Sequence, residues 1–228
     1  MKNIITIGLP SKGRLKDKSL DFFNSRELKI LTSSKERNYF ASIQNKPNIK
    51  IIYLHAKEII QRLGDGTLDL GISGLDLLNE SEKNIKDKIL IKKKLNFGYA
   101  TLILACRNEF IDLFTTLDLD EVADEYKKKN KSLLKIGTKY PNLTREFLYS
   151  RGVTNFTIAK SSGSTELMCA MNTAQLISDI TSSGATLRQN NLRILNDGEI
   201  LKSQACIFSS KKSKKKKGLK SLIRLLTK

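Results

Sequence analysis

The chain has 228 residues, 39% of them hydrophobic, and a formal net charge of +18. That length fits one domain or two small ones, and no apolar run approaches the roughly eighteen residues that would span a membrane. The charge invites a nucleic-acid role. Yet nine of the eighteen net charges fall in the last eighteen residues, "KKSKKKKGLKSLIRLLTK", and the chain has no Trp and no aromatic-interleaved basic strand. A solvated surface of biased composition, or a field drawing polyanionic small substrates, fits better than specific nucleic-acid binding.

The N-terminal "MKNIITIGLPSKGRL" lacks the pattern of an export signal, so the expected location is cytoplasmic. Within it, 3–9 reads as a strand, and 15–25 as a helix with Leu15, Leu20, Phe22 and Phe23 inward. "NIKIIYL" (48–54) is a strand, and "AKEIIQRLGDG" is a helix stopped by Gly64 and Gly66. "LDLGIS" (68–73) is a strand, and "GLDLLNE" begins a helix. The lone His55 reads as a residue at a helix start.

The rhythm then repeats. "YATLILAC" is a strand, 118–130 a charged helix, "LLKIGT" a strand, and "YPNLTREFLYSRG" a helix ended by Gly152. "NFTIA" is a strand, "STELMCAMN" a helix, and "AQLISDI" a strand. Alternation of this kind implies an α/β fold with parallel-type sheets and ligands at the carboxyl ends of strands. Two such sets suggest two lobes, with a hinge near "IKKKLNFGYA" (91–100). The expected division is residues 1–91 plus about 199–228 for lobe I, and about 92–198 for lobe II. The β pattern "EILKSQACIF" (199–208) would return the chain to lobe I. The basic tail 211–228 carries an amphipathic turn or two, either docked or frayed. Cys106, Cys169 and Cys206 are scattered without metal spacing and read as free buried thiols.

Four strand-to-helix turns carry small or donor residues. In "LPSKGRL", Gly13 allows close backbone approach, and Lys12 and Arg14 supply charge at a helix start. In "GISGLDLL", Ser73, Gly74 and Asp76 suit either helix capping or a ligand. In "GTKYPNLTREF", Tyr140 either packs or faces a flat base. "DITSSGATLRQNN" (179–191) is the richest: Thr181, Ser182, Ser183 and Thr186 give hydroxyls, Gly184 permits converging amides, and a helix start follows. Asp179 would repel phosphate but suits ribose hydroxyls. A ribose 5-phosphate along the turn and a simply capped helix both satisfy this chemistry. With one His, no Ser-His-Asp or Cys-His constellation is available, so any reaction must rely on positioning and electrostatics.

Taken in order, "LPSKGRL", "DGTLDLGISGLDLL", "TKYPNLTREF", "GSTELM" and "DITSSGATLRQNNLRIL" resemble segments of the ATP phosphoribosyltransferase family over about residues 4–208. Cys169 stands where that family commonly has Pro, and Gln175 where it has an acid, so no metal ligand is expected at 175. The resemblance implies a type IV phosphoribosyltransferase: two periplasmic-binding-protein-like α/β lobes with a cleft between them. It implies transfer of the phosphoribosyl group of phosphoribosyl pyrophosphate to N1 of ATP with Mg²⁺, the first step of histidine biosynthesis. The length is similar to the family's short form, which implies a histidyl-tRNA-synthetase-like regulatory subunit and a homodimer core.

Carried onto this chain, the resemblance places substrate on Lys12, Gly13, Arg14, Ser73, Gly74, Asp76, Tyr140 and Asp179. It adds the turn residues Thr181, Ser182, Ser183, Gly184, Ala185, Thr186 and Leu187. Arg14, Asp179 and Glu166 become the catalytic candidates, and Asp179 or Glu166 the acids able to meet Mg²⁺ through water. The rival classes are a small-ligand binding protein, which the lobed fold alone permits, and a basic nucleic-acid binder acting through its tail.

Overall fold

The structure is a computed structural model that describes residues 4–32 and 39–228. The Asn3 start of the first predicted strand therefore lies outside the described residues. The chain divides into two compact units, one of residues 1–99 and 204–228, the other of residues 100–203.

In chain order, the first unit opens with β1 (Ile5–Pro10), α1 (Gly13–Asn24), β2 (Ile30–Thr32), β3 (Phe40–Ile43) and β4 (Lys46–Leu54). It continues with α2 (Ala56–Asp65), β5 (Leu70–Gly74), α3 (Leu75–Glu80), α4 (Lys83–Lys86) and β6 (Ile89–Lys94). The second unit holds β7 (Ala100–Arg107), α5 (Thr116–Asn130), β8 (Leu134–Thr138), α6 (Pro141–Ser150) and β9 (Phe156–Lys160). It ends with α7 (Leu167–Ala170), β10 (Leu176–Thr181), α8 (Ala185–Gln189) and β11 (Leu192–Ser203). The chain then returns to the first unit as β12 (Ala205–Ser210), a 3-10 turn and α9 (Leu219–Thr227).

Among the described residues the first unit's sheet runs β2-β3-β4-β1-β5-β12-β6. Only the neighbouring pairs β4–β1 and β1–β5 are parallel; β12 lies antiparallel to both β5 and β6. The second sheet runs β11-β7-β10-β8-β9, with β10, β8 and β9 parallel and β7 antiparallel to its two neighbours. The expected parallel sheets are thus parallel only where helices connect the strands. A parallel neighbour needs a crossover, and β11 passes to β12 through Gln204 alone. The predicted 199–208 strand is for the same reason two strands in two sheets: Glu199–Ser203 pairs with β7, and Ala205–Ser210 pairs with β5 and β6. The predicted hinge segment likewise contains part of β6.

Side-chain alternation builds two cores in each unit. Ile5, Ile7 and Leu9 of β1 face Phe23 of α1 and Leu219, Leu222 and Leu226 of α9. Cys206 and Phe208 face the opposite way, toward Ile59, Ile60 and Leu63 of α2. In the second unit Leu104 and Cys106 join the core under α5 and α6, while Ile103 and Ala105 join Cys169 and Leu187 on the side of α7 and α8.

The basic tail is docked. Leu219, Leu222 and Leu226 are nearly fully buried, and burial of each contributes about 1.5–3 kcal/mol. Asp69, itself buried, anchors the lysine run: it accepts from Lys216 Nζ at 2.6 Å, Ser213 Oγ at 2.6 Å and the Thr6 amide at 2.7 Å. Lys212 Nζ donates to the Asp65 carbonyl at 2.8 Å. Burial alone would push the Asp69 carboxyl up, but the bonds from Lys216, Ser213 and Thr6 outweigh it and hold the group below the ordinary carboxylate range.

Candidate active site

The predicted site residues fall on the carboxyl ends of parallel strands, in two groups. In the first unit β1 and β5 are neighbours, so the turns carrying Lys12–Arg14 and Ser73–Asp76 leave the same edge of the sheet. In the second, β10, β8 and β9 are consecutive neighbours. Their ends bring together the Tyr140 turn, the segment leading to Glu166 and the turn after Asp179.

The last turn is built as follows. β10 runs to Thr181, Ser182 and Ser183 are exposed, and Gly184 at φ +68° precedes α8. That left-handed backbone favours glycine. Leu187 is buried in the core beside Ile103, Ala105 and Ile177, which fastens α8 to the sheet. Leu187 is therefore an anchor rather than a side-chain contact for substrate. The Gly184 amide donates to Thr181 Oγ1 at 2.9 Å, and the Ala185 amide to Ser183 Oγ at 3.4 Å. Both partners are rotatable hydroxyls of the turn itself, which an incoming anion can replace. α8 has only five residues, too few for much macrodipole; the local amides and hydroxyls carry the attraction.

Asp179 is half-buried, and its Oδ1 accepts from the Ile180 amide at 2.7 Å. Strand alternation places it on the α7–α8 side, with the turn, and sends its neighbour Ser178 toward α6. Glu166 is half-buried immediately before α7. A cation missed in the sequence joins this group. Arg188, one helical turn beyond Gly184, folds back so that its Nη1 lies 3.2 Å from where a Cβ on Gly184 would stand. Lys139, which follows β8, and Lys160, which ends the adjacent β9, are also exposed. A basic residue four positions past the turn glycine was the available signal for Arg188.

In the first unit Lys12 and Arg14 are exposed and form no ion pair with a described residue. Gly13 between them has φ +72° with open space where a Cβ would point. The second turn departs from expectation. Ser73 is fully buried, and its hydroxyl donates to the Ala56 carbonyl at 2.8 Å, tying β5 to the start of α2. Asp76 is buried with its Oδ1 folded against Gly74. Both side chains are turned into the protein and help hold the turn. Tyr140 is buried too, which favours packing over display of its ring to solvent.

Other assignments are structural. His55 caps α2, its Nδ1 accepting from the Lys57 amide at 3.4 Å. Gln175 holds the start of β8 through the Lys135 amide at 2.8 Å. The three cysteines are free and buried, and burial pushes the Cys169 and Cys206 thiols up to about 11. No group of three or more His, Cys, Asp or Glu suited to a metal occurs among the described residues. A cavity of about 680 Å³ lies at the amino ends of β1 and β4 beside α9 and includes none of the turn residues.

Comparison with known proteins identifies the family. The family model HisG, ATP phosphoribosyltransferase, matches residues 55–228. The ATP phosphoribosyltransferase of Brucella melitensis biotype 2 is 39% identical over 210 residues, covering 92% of this chain and 91% of its own. This chain belongs to the ATP phosphoribosyltransferase family. The Brucella anthropi enzyme is 37% identical over 92% of this chain and 91% of its own. The ATP phosphoribosyl transferase (HisG:HisZ) complex from Thermotoga maritima includes a chain that superposes with a TM-score of 0.75 at 23% identity. That match covers 98% of this chain and 96% of the other. A probable amino-acid ABC transporter extracellular-binding protein, ytmK of Bacillus subtilis, shares the fold at TM-score 0.56 and 14% identity, over 98% and 88% of the two chains. The fold is thus of periplasmic-binding-protein type, and the activity is that of an ATP phosphoribosyltransferase. It moves the 5-phosphoribosyl group from phosphoribosyl pyrophosphate to N1 of ATP, releasing pyrophosphate, in the first step of histidine biosynthesis.

Proposed function

We propose that the turn from Asp179 to Leu187 is where this transferase holds phosphoribosyl pyrophosphate. The supporting observation is the pair of amides, Gly184 and Ala185, bonded only to the turn's own hydroxyls beside a half-exposed carboxylate. The 5-phosphate takes the amides and the hydroxyls of Thr181, Ser182, Ser183 and Thr186, with Arg188 over the glycine. Asp179 accepts from the ribose hydroxyls. Lys12 and Arg14 offer cations to pyrophosphate or triphosphate, Gly13 allows close approach, and the Gly74 backbone and Tyr140 help shape the nucleotide end.

Adenine N1 already carries a lone pair, so attack on ribose C1 needs no general base, which suits a chain with one histidine engaged in capping. As the bond from C1 to pyrophosphate breaks, positive charge builds on the sugar and negative charge on the leaving group. Asp179 stabilises the former, with Glu166 the second acid, and Arg14 and Lys12 the latter. The residues present fit Mg²⁺ carried largely by substrate oxygens, with Asp179 or Glu166 reaching it through water; there it would neutralise the leaving pyrophosphate. A binding protein without chemistry is the rival that the fold alone would permit.

The chain works in the cytoplasm, has a homodimer core, and pairs with a histidyl-tRNA-synthetase-like regulatory subunit. The naming of the Thermotoga maritima assembly as a HisG:HisZ complex supports that pairing. Pyrophosphate release from ATP and phosphoribosyl pyrophosphate, measured with and without a co-produced subunit, tests the reading. Asp179→Asn should lose most turnover while remaining folded; wild-type turnover in that variant would remove the assignment.

A further inference from the structure

Behind the turn lies a set of buried hydroxyls that the reaction does not touch. Thr138 ends β8, Ser178 is its register partner on β10, and Thr144 projects from α6; all three are fully buried. Thr144 Oγ1 lies 2.7 Å from the Tyr140 carbonyl, 2.9 Å from Ser178 Oγ and 3.5 Å from Thr138 Oγ1. Thr138 Oγ1 accepts from the Tyr140 amide at 2.9 Å.

Proton counting gives this set a direction. A threonine hydroxyl has one proton and two lone pairs. The Tyr140 carbonyl can only accept, so the Thr144 proton goes there. Ser178 must then donate to Thr144. The result is a one-way chain from Ser178 through Thr144 to the Tyr140 backbone, whose amide is held by Thr138. Ser178 immediately precedes Asp179, and Tyr140 heads the neighbouring turn.

We propose that Thr144 is a positioning residue for the transfer: its hydroxyl locks the Asp179 turn to the Tyr140 turn and so presets the sugar-binding carboxylate. The proposal rests on the assignment of Asp179–Leu187 to phosphoribosyl pyrophosphate. It touches no substrate and supplies no charge. What it contributes is the fixed relation of two strand ends, since a carboxylate that wanders loses orientation toward ribose.

The test is direct binding of phosphoribosyl pyrophosphate to the full chain by titration calorimetry, beside the melting temperature of each variant. Thr144→Val keeps the shape and removes both the donor to the Tyr140 carbonyl and the acceptor for Ser178. It should weaken binding about tenfold, the scale of one lost hydrogen bond. Ser178→Ala should do the same, and the double variant should be no weaker than Thr144→Val alone, because both single changes break the Ser178–Thr144 link. Thr144→Ser should return affinity to within about twofold of wild type. If Thr144→Val does not fold, Ser178→Ala carries the same expectation. Wild-type affinity with a lowered melting temperature would show mere packing and overturn the proposal; so would strictly additive losses. Asp179→Asn separates the two possible failures. Unchanged affinity there removes the site assignment and this proposal with it. Weakened binding there, beside wild-type affinity in Thr144→Val and Ser178→Ala, removes the proposal alone.

Discussion

Replacing Gly184 by valine isolates the phosphate turn from the rest of the fold. A Cβ at this position meets only the Arg188 guanidinium, at 3.2 Å, the far end of a flexible side chain that can move. The steric cost is therefore small, and the backbone cost dominates. At φ +68° a non-glycine residue pays about 1–2 kcal/mol, and a β-branched one more. The turn, exposed on either side of Gly184, can relieve that strain by rotating φ to negative values, which turns the Gly184 and Ala185 amides away from a common point. Each amide bond to a charged phosphate contributes about 1.5–3 kcal/mol. Losing two amounts to about 3–6 kcal/mol, or roughly 10²–10⁴ in kcat/KM. The assay is pyrophosphate release at subsaturating phosphoribosyl pyrophosphate, with circular dichroism to confirm the fold. Because Ser182 and Ser183 are exposed, global stability should fall by no more than the strain itself. A folded Gly184→Val protein with kcat/KM within about threefold of wild type would refute the reasoning.

Further expectations concern charge, stability and reactivity. Arg14→Ala should cut turnover strongly with an unchanged melting temperature, since the side chain is exposed; near-normal turnover would remove its role at the leaving group. Asp69→Ala strands Lys216 and Ser213 and should cost about 3 kcal/mol, measured by urea unfolding; an unchanged midpoint would show that the anchor is idle. Because the folded Asp69 carboxyl titrates below its unfolded value, its contribution is complete above about pH 4 and is lost as pH falls through the folded pKa. Wild type should therefore shed this part of its stability on acidification while Asp69→Ala does not. Leu222→Ala should cost about 2–5 kcal/mol, a loss that a frayed tail would not show. Cys169 and Cys206, with thiols pushed up to about 11, should resist iodoacetamide at pH 8 until the chain unfolds; rapid native labelling would contradict their burial.

The sequence disclosed most where local chemistry and tertiary environment agree. The strand-helix alternation located β1, β4, β5, β7 and β8 through β10 because each pairs an apolar run with a glycine or capping signal. The turn at "TSSGAT" was legible for the same reason: a glycine between hydroxyls after a strand marks a strand-to-helix turn. The short β2 and β3, and the split at Gln204, were not legible. Their pairings depend on partners far along the chain, and a continuous β pattern carries no mark of a change of sheet. The tail's docking hung on Asp69, whose inward placement next to lysines more than a hundred positions away no local pattern reveals. Ser73 and Asp76 were ambiguous for a related reason. A serine or an acid at a helix start serves capping and ligand binding alike, and only burial shows which way it faces. Thr144 reads as an unremarkable helix residue until α6 is laid against β10.

The most direct measurement is a crystal structure of the chain, with the proposed regulatory subunit where one is required, bound to phosphoribosyl pyrophosphate. The 5-phosphate should lie about 2.7–3.1 Å from the Gly184 and Ala185 amides, with the ribose hydroxyls on Asp179 and the Thr181 and Ser183 side chains turned to the ligand. A 5-phosphate held instead by Lys12 and Arg14, with the Asp179–Leu187 turn still bonded to its own hydroxyls, would contradict the account.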